Sequence, residues 1–100
     1  MRITPQEARA LADLARAHFG PGCEVRLFGS RVDDAARGGD VDTHVAGVDP
    51  DRATLRAELG FQSEARDAMG DVEVDVVVLP HGAEPGPLDR IALRRGVLLA

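Results

Sequence analysis

Hydrophobic and polar positions change their period along this chain, which indicates that helices and strands follow one another. Apolar side chains recur at helical spacing from Leu11 onward, behind a Thr4-Pro5-Gln6-Glu7 start in which the threonine can cap a helix and the proline suits its first position. Gly20 and Pro21 end this helix. Over residues 23–28 apolar and polar side chains alternate, which predicts a strand.

Further elements are predicted beyond this strand. In chain order they are a short helix over 30–36, a strand over 41–45, a helix from an Asp49 cap to about Met69, a strand over 72–79, a helix over 88–95 and a packed apolar tail over 97–99. Residues 74–79 are nearly continuously apolar, which indicates a sheet covered on both faces. The order predicts an α/β fold for the single domain 1–100, with a mixed β-sheet of at least three strands flanked by helices. The leucines at helical spacing are expected in its core, namely Leu11, Leu14, Leu55 and Leu59.

The composition is that of an ordinary globular domain, with 44% hydrophobic and 29% charged residues in a length that suits one modest core. No apolar run reaches the ~18 residues needed to span a bilayer, and the first residues contain no apolar signal core. A cytoplasmic protein without a membrane partner is therefore expected. Cys23 is the only cysteine, which excludes an internal disulfide and predicts a small buried side chain.

The net charge is −5, and the 12 basic residues are all arginines, several of them scattered among acids. Proteins that bind polynucleotides usually have a clustered basic face, so extended nucleic acid is not an expected partner. A bound metal ion would reverse the local field, however, and would allow an acidic site to hold an anionic nucleotide.

Three aspartates form the first group with candidate chemistry. Asp40 and Asp42 are two residues apart on a predicted strand, so their side chains point to the same face. Two such carboxylates repel each other unless a cation lies between them, and an all-oxygen site suits Mg²⁺ or Mn²⁺ rather than zinc. Asp75 is in another predicted strand, where an acid is costly to bury without a partner, and can add a third carboxylate. Glu73 is a competing candidate on the same side as Asp75.

The second group is a loop after the first strand. Gly29 allows the backbone to approach a phosphate closely, and the predicted helix start behind it offers free N–H groups. The Ser30 hydroxyl can bond a phosphate oxygen, and Arg31 can neutralise its charge. A phosphate cradle beside a carboxylate metal site is suited to phosphoryl or nucleotidyl transfer.

Together these residues resemble the signature of the DNA polymerase beta-type nucleotidyltransferase superfamily, which is Gly-Ser, a spacer of about ten residues, Asp-x-Asp on a strand and a third Asp on a later strand. Residues 23–99 are similar to its minimal nucleotidyltransferases (MNT), many of which are antitoxins paired with HEPN ribonuclease toxins. The resemblance implies a nucleotidyltransferase fold. It assigns nucleotide binding to Gly29, Ser30 and Arg31, and assigns catalysis and metal binding to Asp40, Asp42 and Asp75.

The sequence departs from that pattern at three places. Gly39 precedes the first aspartate where serine is common, and Thr43-His44 follows the second where two apolar residues are usual. The segment 51–69 is long for the smallest members. His44 lies on the predicted face of Asp40 and Asp42, and its role, structural or in the site, stays open.

The resemblance implies a two-metal, in-line transfer of AMP from ATP, with Mg²⁺ or Mn²⁺ as the cofactor and a hydroxyl of a HEPN-like partner protein as the acceptor. In this scheme Asp40 and Asp42 hold both metals, and Asp75 holds the catalytic metal and helps to deprotonate the acceptor. One alternative is a small-molecule nucleotidyltransferase of the antibiotic-modifying type, although such enzymes usually have an additional helical domain. The other is a non-catalytic masking module, which would need no metal ligands. The base preference, the acceptor and any homo-oligomeric state stay open.

Overall fold

In the computed structural model, which describes residues 3–29 and 40–99, a capped helix opens the chain. This helix, α1, spans Pro5–Phe19. The Glu7 N–H donates to the Thr4 side chain over 3.1 Å, and the Thr4 N–H donates to the Glu7 carboxylate over 2.8 Å, which completes a capping box. Leu11 and Phe19 lie on the buried face of α1. The predicted helix and its cap are confirmed.

Four strands form one sheet in the order β3-β2-β1-β4. Their bounds are β1 Glu24–Phe28, β2 Val41–Val48, β3 Val74–Pro80 and β4 Val97–Leu98. β2 and β3 are parallel, whereas β1 is antiparallel to both β2 and β4. The sheet is therefore mixed, as predicted, and the C-terminal tail supplies a fourth strand. The short helix predicted over 30–36 lies outside the described residues.

Helices cover both faces of the sheet. α2 spans Leu55–Ala68 and α3 spans Pro87–Arg95. α1 and α2 pack on the face where alternate residues of β1 and β2 meet the rings of Phe19 and Phe61 in the core. α3 contacts β1 and β3 and lies on the other face, where it bonds to His44. No helix among the described residues has the length and apolarity to cross a membrane.

The second helix begins later than the sequence predicts. Asp49 caps only a short 3-10 turn over Pro50–Arg52, where its side chain accepts from the Asp51 N–H over 3.1 Å. Thr54 is the true cap of α2, because its hydroxyl accepts the Ala57 N–H over 3.1 Å. Two good caps thus lie five residues apart in the sequence, and the later one begins the longer helix.

The prediction that Leu55 and Leu59 belong to the core is wrong, since they are 70% and 57% exposed. α2 instead turns Phe61, Ala65 and Met69 inward, and these residues follow each other at four-residue spacing. At about 100° per residue the two leucines fall on the opposite side of the helix from Phe61.

The apolar run 74–79 predicts a sheet covered on both faces, and this is confirmed, since α2 and α3 both contact β3. β3 is an edge strand, with β2 as its neighbour in the described sheet. Val74 is buried, whereas Val76 and the residues up to Pro80 are only partly buried. Cys23 is buried as predicted, and this burial raises the pKa of its thiol even though the nearby charge of Arg16 lowers it.

Candidate functional site

Asp42 and Asp75 lie side by side on the sheet. They are direct register partners in the parallel pair β2–β3, so their side chains point to the same face. Asp42 is partly buried and Asp75 is exposed at the edge of the sheet. Two carboxylates on neighbouring strands, one of them reachable from solvent, are the centre of the candidate site.

Asp40 precedes β2 and is exposed. Burial raises the pKa of the Asp42 carboxyl, and the negative charges of Asp75 and Asp40 raise this pKa further. The three aspartates therefore interact electrostatically around Asp42. Within residues 3–29 and 40–99, however, no three acidic, histidine or cysteine side chains are grouped closely enough to hold a metal ion.

Gly29 lies beside the Asp42 carboxylate. It follows Phe28, the register partner of Asp42 on β1, and has a positive φ of 81°. A Cβ added at this position would overlap Oδ2 of Asp42 and would lie 3.2 Å from its Cγ. A side chain here would be strained by the left-handed backbone and would push the Asp42 carboxylate aside. Ser30 and Arg31, the other predicted phosphate-binding residues, lie outside the described residues.

These residues fit a bound Mg²⁺ or Mn²⁺ in their chemistry. The candidate ligands are carboxylate oxygens, which hard divalent cations prefer. A cation would also offset the like-charge repulsion that raises the pKa of Asp42. The absence of a side chain at Gly29 leaves backbone exposed next to the same carboxylate.

Thr43 and His44, the two polar residues that follow Asp42, are fully buried and each makes a polar contact. The Thr43 hydroxyl donates to the main-chain carbonyl of Asp75 over 2.7 Å. His44 Nε2 is 2.7 Å from Oδ1 of Asp89 on α3, and Oδ2 of Asp89 accepts the Gly86 N–H over 2.8 Å. The polar pair in place of apolar residues was the sequence signal for these contacts, whereas nothing in the sequence singled out Asp89.

His44 lies two residues from Asp42 on the same face of β2, so the predicted placement is confirmed. Its contact with Asp89 fixes the first turn of α3 against that face. Its other ring nitrogen, Nδ1, is buried and has no hydrogen-bond partner in the part of the chain that the structure describes. In this geometry His44 has a structural role, since its polar contact with Asp89 ties α3 to the sheet. Glu73, the competing acid, lies near Arg66, with 3.6 Å between Glu73 Oε1 and Arg66 Nη1.

Two cavities lie away from the paired aspartates. One, of about 280 Å³, lies between α2 and the start of β3 and is lined by Arg66 and Glu73 among others. The other, of about 400 Å³, lies beside His18 at the start of α2. Neither of these two cavities is lined by Asp42 or Asp75.

Comparison with known proteins adds no family assignment. No protein-family model matches this chain, and no curated protein is significantly similar to it. The assignment of a function therefore rests on the paired aspartates, the glycine beside them and the residues that position them.

Proposed function

We propose that this protein is a metal-dependent nucleotidyltransferase that moves AMP from ATP to a hydroxyl group of a partner protein. The observation that carries the proposal is the placement of Asp42 opposite Asp75 on parallel strands, with the charge of Asp40 acting on the same carboxyl. Repelling carboxylates of this kind are stabilising only when a cation joins them.

Asp40, Asp42 and Asp75 would hold Mg²⁺ or Mn²⁺ in this proposal, and the ion would have to draw their carboxylates closer together than they lie without it. When bound, the metal supplies positive charge to the phosphates and orients the reacting groups. Asp75 is exposed and pairs with Asp42 across the two strands, so we assign to its oxygen the role of accepting the proton of the acceptor hydroxyl. The acceptor oxygen forms a bond to the α-phosphorus while the bond from this phosphorus to pyrophosphate breaks.

The triphosphate is proposed to bind along Gly29, Ser30 and Arg31. Gly29 supports this assignment, because its backbone is exposed next to the Asp42 carboxylate and has a positive φ that glycine adopts readily. The hydroxyl of Ser30 and the guanidinium of Arg31 would bind the β- and γ-phosphates and stabilise the departing pyrophosphate.

An exposed carboxylate suits an acceptor that another protein presents. Asp75 is exposed on the edge strand of the described sheet, where a hydroxyl group of another protein can approach it. We propose a HEPN-like toxin protein in the cytoplasm as the partner, as the resemblance to minimal nucleotidyltransferases implies. Aminoglycoside-type acceptors are the alternative.

The test is to incubate the protein with ATP, Mg²⁺ and the HEPN-like product of a neighbouring gene, and to weigh that product by mass spectrometry. We expect the partner to gain the mass of one or more AMP groups. Asp42→Asn and Asp75→Asn should each abolish the gain, whereas Asp67→Asn, an exposed carboxylate on α2, should leave it unchanged. Modification of an aminoglycoside with no mass gain on the partner would overturn the proposal.

A further inference from the structure

Thr43 lies between Asp42 and His44 on β2, and its side chain points to the opposite face of the sheet from theirs. The side chain is 0% exposed, so its hydroxyl must find a partner inside the protein. That partner is the main-chain carbonyl of Asp75, at 2.7 Å. A residue next to one proposed metal ligand therefore bonds to the backbone of another.

The bond between Thr43 and Asp75 holds the beginning of the edge strand β3 against β2. Asp75 is the second residue of β3, and β3 is an edge strand whose described neighbour is β2. Strand ends at a sheet edge open more readily than central strands do. The charges of Asp42 and Asp75 also repel each other across this pair of strands, and the hydroxyl bond opposes that separation.

We infer that Thr43 is a positioning residue, which fixes the backbone of Asp75 relative to Asp42 and thereby sets the distance between the two carboxylates that bind the metal. This inference rests on the proposed function. A carbonyl oxygen has two lone pairs, so it can accept the hydroxyl while it also serves the strand ladder. Thr43 thus holds one carboxylate from behind the sheet without touching the metal or the nucleotide.

Two substitutions separate positioning from simple packing. Thr43→Val keeps the side-chain shape and removes the hydroxyl, whereas Thr43→Ser keeps the hydroxyl and removes a methyl group. Mn²⁺ binding is measured for each purified protein by calorimetric titration, and thermal unfolding is measured in EDTA. Neither readout depends on catalytic turnover or on the identity of the acceptor.

We expect Thr43→Val to weaken Mn²⁺ binding by about tenfold, which is the lower end of the usual effect of residues that orient metal ligands. Thr43→Ser should bind Mn²⁺ within about twofold of the wild type although it unfolds at a lower temperature, because a buried methyl group is lost. Thr43→Val should therefore change mainly the affinity for Mn²⁺, whereas Thr43→Ser should change mainly the unfolding temperature. Wild-type Mn²⁺ affinity in Thr43→Val, or an affinity that simply follows the unfolding temperature, would overturn the inference.

Asp42→Asn is measured in the same titration. Loss of Mn²⁺ binding in Asp42→Asn, together with unchanged binding in Thr43→Val, would refute the positioning role and leave the proposed function standing. If the wild type bound no Mn²⁺, or if Asp42→Asn bound it equally well, both the proposed function and the positioning role would be refuted.

Discussion

Replacement of Asp42 by asparagine should make the metal-free protein more stable at neutral pH, although Asp42 is proposed to be essential. Burial and the charges of Asp75 and Asp40 raise the pKa of the Asp42 carboxyl above its ordinary value of 3.8. The folded protein therefore holds this proton more tightly than the unfolded chain does. The resulting stabilisation is complete below pH 3.8 and is lost as the pH rises through the raised pKa.

The size of the effect follows from the spacing of the strands. Two unit charges about 4.8 Å apart repel by roughly 0.9 kcal/mol in water and by roughly 3.5 kcal/mol at an effective dielectric constant of about 20. Asp75 is exposed, so solvent screening brings the repulsion to the lower end of this range. We expect Asp42→Asn to gain about 1 kcal/mol, or about 4–8 °C in Tm for a domain of this size.

Thermal unfolding in EDTA at low salt checks this prediction. At pH 7 Asp42→Asn should unfold at a higher temperature than the wild type, and below about pH 4 the difference should shrink toward zero. With Mg²⁺ at ten times its Kd the wild type should gain about 1.4 kcal/mol and the order should reverse. Asp67→Asn, the matched control on α2, should change by less than about 0.5 kcal/mol in either buffer. A lower Tm for Asp42→Asn in EDTA at pH 7 would refute the electrostatic reasoning.

The remaining predictions concern the neighbours of Asp42. Gly29→Ala should weaken Mn²⁺ binding by more than about tenfold, because the strained backbone and the added Cβ together displace the Asp42 carboxylate. Titration calorimetry measures this affinity, and an unchanged affinity would remove Gly29 from the site. Asp89→Ala should lower the free energy of unfolding by about 2 kcal/mol, because it leaves His44 Nε2 buried without its partner. Urea denaturation measures this loss, and an equal loss in Glu84→Ala, in the exposed loop before α3, would contradict it.

Local chemistry determined the parts of the fold that the sequence predicts well. The capping box of Thr4 and Glu7 acts between residues three apart, and the alternation that predicts β1 is a property of adjacent residues. The candidate carboxylates are likewise visible in the sequence, because Asp40 and Asp42 are two residues apart and Asp75 interrupts a run of valines. The sequence argument from the cost of burying Asp75 does not hold, since its side chain is exposed.

Prediction from local sequence was wrong where two nearby residues were equally good helix caps. Asp49 and Thr54 are both good caps, and only packing decided which of them begins α2. The same packing turned Phe61 inward and left Leu55 and Leu59 exposed, since the helix can bury only one face against the sheet and α1.

The tertiary structure alone decided how the site is assembled. The Thr43 hydroxyl and the Asp75 carbonyl are 32 residues apart in the chain, and His44 and Asp89 are 45 apart. Strand register and helix docking create these contacts, and both depend on the whole hydrophobic core and not on any short motif. The sequence by itself therefore determined which groups carry the candidate chemistry, while the fold determined which of them meet.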